Sequence, residues 1–244
     1  MELLAAFRPA RLSDLSPART ALRARFPTLL SAPLTLDQIV FMENVPYDSS
    51  VRGAHVSKID GATATFVAAQ ISTMATATGL PVWYLAACLA RESRFDPGAY
   101  NENLTLFNRT PTFDGTDWGV AQFSGRWSHK RPGCDGLPDA AVKAKLLDPM
   151  WAITEFGRVM AGNIAWARGL LASPKGVSVS TAISQVASNL IYATAKYAAL
   201  WLATMAYNSG TDGALKDLMG PHARINHPNS VMSTARELEQ ELSA

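Results

Sequence analysis

The chain has 244 residues and a formal net charge of +2, with 48% hydrophobic and 17% charged residues. This composition is typical of a folded globular protein with a sizeable core, and it excludes an intrinsically disordered chain. The small net charge argues against nucleic acid as the main partner, and only two cysteines, Cys88 and Cys134, leave no disulfide framework to predict.

Residues 1–60 contain scattered prolines and short apolar pieces, which predict an irregular N-terminal extension with short helices. Arg19, Arg23 and Arg25 are spaced to fit one short basic helix. We expect this extension to pack on the main domain, and the alternative is a segment that docks on a virion or a secretion machine. The N-terminus lacks the basic region and long apolar run of a secretory signal, so we expect synthesis in the cytoplasm and a separate delivery route.

Two apolar helices are predicted after this extension. The first covers residues 61–79 and closes at Gly79. The second lies between Leu80 and Pro97 with one face in the core, and Pro81 suits its first position because an N–H there would have no helical partner. Asp96-Pro97-Gly98 is expected to end this helix, since proline disfavours helical geometry in the residue before it.

Glu92 is the residue of chemical interest in the second helix, because it lies in the last turn. The partial negative charge of a helix C-terminus and an apolar wall both disfavour the ionised carboxylate, so its pKa is expected to rise. A glutamate that stays protonated near neutral pH can act as a general acid. The alternative for a single glutamate between arginines is a surface ion pair with Arg91 or Arg94.

The remaining pattern predicts a mainly α fold with one small β-hairpin. A long loop over 98–117 leads into the hairpin near 112–123, and apolar helices follow over 148–173 and over 180–207, the latter with a break allowed. The tail from Asn229 is predicted as a solvated helix. The most apolar part of the 180–207 segment contains Lys196 and polar residues, so we expect no stable membrane insertion.

Three short segments carry the functional signal: ARESRFDP at 90–97, DGTDWGVAQF at 114–123 and MAYNSG at 205–210. In this order, at helix edges, they resemble the lysozyme-like superfamily, specifically soluble lytic transglycosylases and goose-type lysozymes. Those enzymes carry an "ES" at a helix end, then "GLMQ", then "AYN". Here the second motif is Gly-Val-Ala-Gln, and its smaller side chains are expected to enlarge the floor of the saccharide groove slightly.

The resemblance covers residues 61–213. It implies a lysozyme-like, transglycosylase-type α-helical catalytic domain at 61–215, preceded by the N-terminal extension and followed by a C-terminal tail and helix at 216–244. It also implies Glu92 as the catalytic acid and Tyr207 as the phenol that orients it. The residues that it implies in substrate binding, or in fixing the surroundings of Glu92, are Ser93, Gly119, Gln122 and Asn208. Trp118 beside them is a further candidate for substrate binding.

Asp117 raises a separate question about the reaction type. The run from Asp114 to Trp127 also looks like the stretch of animal-type lysozymes whose aspartate is the second catalytic carboxylate, and Asp117 takes that place. An ordinary glycoside hydrolase needs two carboxylates, whereas a transglycosylase can work with one. The structural alternative is that Asp117 caps a turn or orients the Gly119 segment. Trp118 could likewise stack on a sugar or pack the hairpin.

The predicted function is cleavage of the β-1,4 bond between N-acetylmuramic acid and N-acetylglucosamine in peptidoglycan, without a cofactor. The leading hypothesis is a lytic transglycosylase, and the alternative enzyme is a muramidase. The hypothesis from another class is a non-catalytic glycan-binding or virion structural protein. The four histidines have no metal-ligand spacing, so no metal is predicted. We expect a monomer that acts on glycan strands in the periplasm or cell wall, as a phage lysin, virion component or delivered effector.

Overall fold

The computed structural model describes residues 54–102, 112–220 and 225–242, and the fold is mainly helical with a small antiparallel sheet. The strands are β1 (Ala54–His55), β2 (Tyr100–Glu102), β3 (Thr116–Trp118) and β4 (Phe123–Ser124). The helices are α1 (Gly61–Thr78), α2 (Val82–Ser93), α3 (Gly125–Ser128), α4 (Asp139–Leu147), α5 (Pro149–Leu171), α6 (Gly176–Val186), α7 (Ala198–Met219) and α8 (Asn226–Leu242), with a 3-10 helix at Leu190–Ala193 between α6 and α7. The expectations for residues 1–53, including the short basic helix, lie outside the described residues.

The chain divides into two compact units. The first contains the described residues up to 77 and from 89 to 155, and the second contains residues 78–88 and the described residues from 156 onward. The sheet, α1, α3 and α4 belong to the first unit. The second unit contains α6, the 3-10 helix, α7 and α8.

The first unit is built on an antiparallel sheet in the order β1-β2-β3-β4. In the register of the central pair, Asn101 on β2 lies opposite Asp117 on β3, and Asp117 lies opposite Ser124 on β4. α3 packs against β3, β4 and α4, and α4 also contacts β3. The predicted hairpin over 112–123 is confirmed as β3-β4, but it is part of a larger sheet that includes residues 100–102 from the predicted loop.

The second unit is built on α7, which packs against both α6 and α8. Its core includes Trp201 from α7, Ile183 from α6 and Leu238 from α8, all completely buried. The predicted helix over 180–207 is confirmed with its break, because α6 ends at Val186 and α7 begins at Ala198. The terminal helix is not solvated as predicted, since one face of α8 is buried.

The helix boundaries follow from local signals in most places. Asp60 caps α1 by accepting the Thr63 N–H at 2.7 Å, and Gly79 follows the helix with a left-handed φ of +68°. α5 covers the predicted 148–173 helix closely. The helix α4 was not predicted, because its sequence DAAVKAKLL offers only two buried apolar residues, Val142 and Leu146.

α2 differs from its prediction in two ways. Every residue from Tyr84 to Ala90 is buried, so this part of the helix is surrounded by protein and does not present a single core face. The helix also ends at Ser93, three residues before the predicted stop, because Arg94 and Phe95 have left-handed φ values of 51° and 65°. Phe95 is fully buried, so tertiary packing holds this unusual turn.

Candidate active site

Glu92 lies in the last turn of α2, directly before the left-handed turn. Its side chain is partly covered, and the Oε1 atom is buried. Burial of a carboxyl oxygen in this position has a large electrostatic cost when the group is ionised, because protein interior solvates charge poorly. The local fold therefore favours the protonated acid.

The pKa of Glu92 is raised from 4.5 to about 8, and burial is the largest cause. The positive charge of Arg91 lowers the pKa, and the negative charge of Asp117 raises it. Burial and Asp117 together outweigh Arg91. This confirms the expected rise and argues against a solvated surface ion pair, because such a pair would lower the pKa of a glutamate. Near neutral pH the side chain can donate a proton.

Asp117 lies in the middle of strand β3 and not at a turn, so the turn-capping alternative does not describe its position. Its neighbours across the sheet are Asn101 and Ser124. Because side chains alternate along a strand, Asp117 faces the opposite side of the sheet from Thr116 and Trp118, which are both buried. The negative charge of Asp117 raises the pKa of Glu92, so the two carboxyl groups predicted to take part in catalysis interact electrostatically.

The Gly-Val-Ala-Gln segment is joined to the end of α2 by Ser93. The Ser93 hydroxyl donates to the Val120 carbonyl oxygen at 2.7 Å, and the side chain is 0% exposed. This burial does not fit direct contact with substrate, so the predicted binding role for Ser93 is corrected to a structural one. The role of fixing the surroundings of Glu92 agrees with the observed bond.

Gly119 has a packing role where a substrate contact was expected. It is buried with φ +73°, and a Cβ built there would lie 1.9 Å from the Leu146 carbonyl oxygen of α4. Its N–H donates to the Ala99 carbonyl oxygen at 2.7 Å. Gln122 closes the same turn, because its backbone N–H and its Nε2 both donate to the Gly119 carbonyl oxygen, at 3.0 and 2.8 Å. The Gln122 side chain remains partly exposed.

Trp118 packs the hairpin, as one of the two alternatives for this residue expects. It is 9% exposed, its ring is stacked with Phe113, and the ammonium of Lys143 lies 3.9 Å from its centroid. Its predicted role in substrate binding stays a prediction. Phe123 is also buried, whereas Trp127 in α3 is 54% exposed.

Tyr207 and Asn208 lie in α7, within the second unit. Tyr207 is partly buried and its ring meets Phe156 edge to face, with centroids 5.1 Å apart. Asn208 is exposed. Two residues further on, Gly210 interrupts α7 with φ 70° and ψ 167°, close to where the sequence predicted a helix end. The predicted roles of both residues stay predictions from the resemblance.

Two supporting groups near the motifs were missed by the sequence reasoning. Asp96 is a buried acceptor of backbone N–H groups, although it was interpreted only as part of a helix stop. Arg131 lies over the Phe123 ring at 3.7 Å and forms an ion pair with buried Glu155 at 3.1 Å. The FDP sequence is a signal that could have pointed to Asp96, but no local pattern links Arg131 to Glu155.

Comparisons of the chain with models of protein families, with curated proteins and with solved structures found no match. Within the described parts of the chain, no cluster of three or more His, Cys, Asp or Glu residues is arranged to hold a metal ion. Over the same ranges, none of the helices is both long and apolar enough to cross a membrane.

Proposed function

We propose that this protein has a lysozyme-like catalytic domain and cleaves the β-1,4 glycosidic bond between N-acetylmuramic acid and N-acetylglucosamine in peptidoglycan. The observation that carries the proposal is the carboxyl of Glu92, buried at a helix end with a pKa of about 8 and within electrostatic reach of Asp117. The resemblance of three ordered motifs supplies the substrate class. Peptidoglycan in the periplasm or cell wall is the proposed site of action.

In the proposed reaction, protonated Glu92 donates its proton to the glycosidic oxygen as the bond to the anomeric carbon breaks. A raised pKa keeps the acid protonated near neutral pH, and after the transfer the carboxylate is available as a base. In the leading version, the N-acetyl group of the sugar stabilises the oxocarbenium-like centre. Glu92 then removes the proton of the 6-hydroxyl, whose oxygen closes the 1,6-anhydro ring.

Hydrolysis is the second candidate reaction, and the position of Asp117 supports it. Asp117 lies on a strand beside Asn101 and Ser124, where a carboxylate can be aimed rigidly, and its charge reaches Glu92. Two interacting carboxyl groups with different environments are the usual arrangement of a glycosidase acid and its partner. In this version Asp117 acts as the nucleophile or the base, and water ends the reaction.

The test is release of soluble fragments from purified peptidoglycan by the wild type and by Glu92→Gln. Loss of about 10²-fold to 10⁴-fold is expected, because the amide cannot supply the proton. A matched control is Glu102→Gln, which changes a partly exposed glutamate on β2 that pairs with Thr116 on the face of the sheet opposite to Asp117. The control should keep wild-type activity. Full activity in Glu92→Gln would exclude this assignment of the acid.

Mass spectrometry of the fragments separates the two reaction types. Anhydro ends identify a transglycosylase, and reducing ends identify a hydrolase. The rival from another class, a glycan-binding or structural protein without catalysis, predicts that the chain binds cell walls and releases no fragments at any pH. Such a result with a folded wild-type protein would replace the enzymatic proposal.

A further inference from the structure

The turn after α2 is held by one buried carboxylate, that of Asp96, which is 7% exposed. Its Oδ2 accepts the Ser57 N–H at 2.6 Å, and its Oδ1 accepts the Gly98 N–H at 2.8 Å. Each carboxylate oxygen thus has a backbone donor. Two short hydrogen bonds from one buried side chain make Asp96 a firm local connection.

The two bonds of Asp96 join segments that are far apart in the chain. Ser57 follows strand β1, which pairs with β2 through His55 and Tyr100. Gly98 lies on the other side, just before β2. The carboxylate therefore closes a link between the turn that ends α2 and the chain leading out of β1.

The backbone of the same turn extends this link toward β3. The Asp96 carbonyl oxygen accepts the Ala99 N–H at 3.2 Å, and the Ala99 carbonyl oxygen accepts the Gly119 N–H at 2.7 Å. Gly119 directly follows β3, the strand that carries Asp117. One path of hydrogen bonds from the end of α2 to β3 therefore runs through the turn that Asp96 holds, and the direct bond from Ser93 to the Val120 carbonyl oxygen is another.

The turn needs such support, because it contains two consecutive residues other than glycine in the left-handed region, Arg94 and Phe95. This conformation costs free energy for residues with a Cβ and persists only when the surroundings enforce it. Burial of Phe95 anchors the middle of the turn, and the two bonds of Asp96 anchor its end. Without the carboxylate, the turn loses its hydrogen bond to the chain beside β1, while the bond from Ser93 to the Val120 carbonyl oxygen remains.

We propose that Asp96 is a positioning residue for Glu92: its carboxylate ties the turn after α2 to the chain beside β1 and so holds the Glu92 carboxyl in its buried place within reach of Asp117. The inference deepens the proposed function and rests on it for its catalytic meaning. Arg91 from its own helix and Asp117 from β3 are charged groups that act on Glu92. The role proposed for Asp96 is one of position, because both of its hydrogen bonds go to backbone N–H groups.

The experiment is a carbon-13 NMR titration of the Glu92 carboxyl in the full-length wild type and in Asp96→Ala. The wild-type midpoint is expected near 8. In Asp96→Ala the midpoint should move toward the ordinary value of 4.5, by about one pKa unit or more, because a loosened turn after α2 lets water reach the carboxyl. The pH at which cleavage activity is lost on the alkaline side should decrease together with this midpoint.

Asp148→Ala is the matched control. Asp148 also accepts a backbone N–H, that of Met150 at 2.9 Å, but it is exposed and lies at the start of α5. Its replacement should leave the Glu92 midpoint unchanged. Ser57→Pro tests the same bond from the donor side, because proline has no N–H and Asp96 itself is retained. It should lower the midpoint as well, and it decides the matter if Asp96→Ala does not fold.

A wild-type midpoint in folded Asp96→Ala, or in Ser57→Pro when the alanine variant does not fold, would overturn the inference. The titration requires no cleavage, so its outcome is separate from that of the proposed function. A wild-type protein that releases no fragments would overturn the proposed function, whereas an unchanged Glu92 midpoint would overturn only the role of Asp96.

Discussion

Around Glu92 the motif residues bond to one another and to the chain between the motifs, whereas around Tyr207 the motif lies on a partly exposed stretch of one helix. Ser93 bonds to Val120, Gly119 bonds to Ala99, and both donors are buried. In α7, Tyr207 packs on Phe156, while Asn208 is exposed just before the break at Gly210.

The difference separates two kinds of motif residue. Residues of the first kind build the frame that holds a buried acid, and their roles can be tested by stability and by titration. Residues of the second kind lie on a partly exposed stretch of helix, and their proposed role is tested through substrate.

The strongest test of the frame is the pH dependence of stability in Glu92→Gln. The folded-state pKa of Glu92, about 8, lies above its ordinary value of 4.5, so the folded state holds a proton that the unfolded state loses. The associated stability is therefore complete below pH 4.5 and is lost as the pH rises through 8. Gln stays neutral, so the variant should gain up to about 4 kcal/mol over the wild type between pH 4 and pH 8.

Urea unfolding of both proteins at several pH values measures this difference. A constant difference across that range would mean that Glu92 titrates normally in the folded protein. The contrast between a buried acid and an exposed motif would then be lost.

Gly119→Ala tests the frame at its closest backbone approach. The left-handed φ and the 1.9 Å separation from the Leu146 carbonyl oxygen should together cost at least about 3 kcal/mol of the free energy of unfolding. Gly136→Ala is the matched control, because Gly136 has nearly the same φ, +70°, and nothing within 4 Å of the added Cβ. It should cost only about 1 kcal/mol. Equal losses would show that the contact with α4 is not tight.

Asp117→Asn probes the electrostatic link inside the frame. The charge of Asp117 raises the pKa of Glu92, so its removal should lower that pKa, by less than the contribution of burial, which is the largest cause. The alkaline limb of the activity should move to lower pH if the variant still cleaves. Product ends identify the mechanism: a hydrolase loses its reaction, whereas a transglycosylase keeps anhydro products. An unchanged pKa of Glu92 in Asp117→Asn would show that the charge of Asp117 does not act on Glu92.

Tyr207→Phe tests the second kind of motif residue and should have the smallest effect. The resemblance implies that the phenol orients Glu92, so removal of the hydroxyl should lower cleavage about tenfold, the value of one hydrogen bond, while the ring contact with Phe156 is kept. Tyr197→Phe removes another phenol of the second unit, one that donates to Glu239 at 2.6 Å, and it should change stability alone. Equal activity in both variants would remove Tyr207 from the catalytic hypothesis.

Much of the helical architecture could be predicted from periodicity and end signals. Residues 61–79 and 148–173 carry apolar residues at helical spacing over many turns, and the glycine and proline signals lie at the right ends. The short strands β1 and β2 are too short to carry a periodic pattern of apolar residues. β2 has only three residues, all partly exposed, and β1 has only two.

For the candidate site, the raised pKa of Glu92 and the apolar surroundings that favour it were predictable, but the extent of the burial was not. The position at a helix end is local, whereas burial of the carboxyl depends on the surrounding fold. The left-handed turn at Arg94 and Phe95 is likewise enforced by packing, so no propensity predicts it. Ser93 and Gly119 were identified as important residues, but their burial shows that they support the site from within.

The central claim is that Glu92 is the proton donor of a glycan-cleaving enzyme, and fragment release from purified peptidoglycan tests it most directly. Wild-type protein and Glu102→Gln should release soluble muropeptides at equal rates, while Glu92→Gln, folded and at least as stable at pH 7, should release about 10²-fold to 10⁴-fold less. Equal release by wild type and Glu92→Gln would contradict the claim.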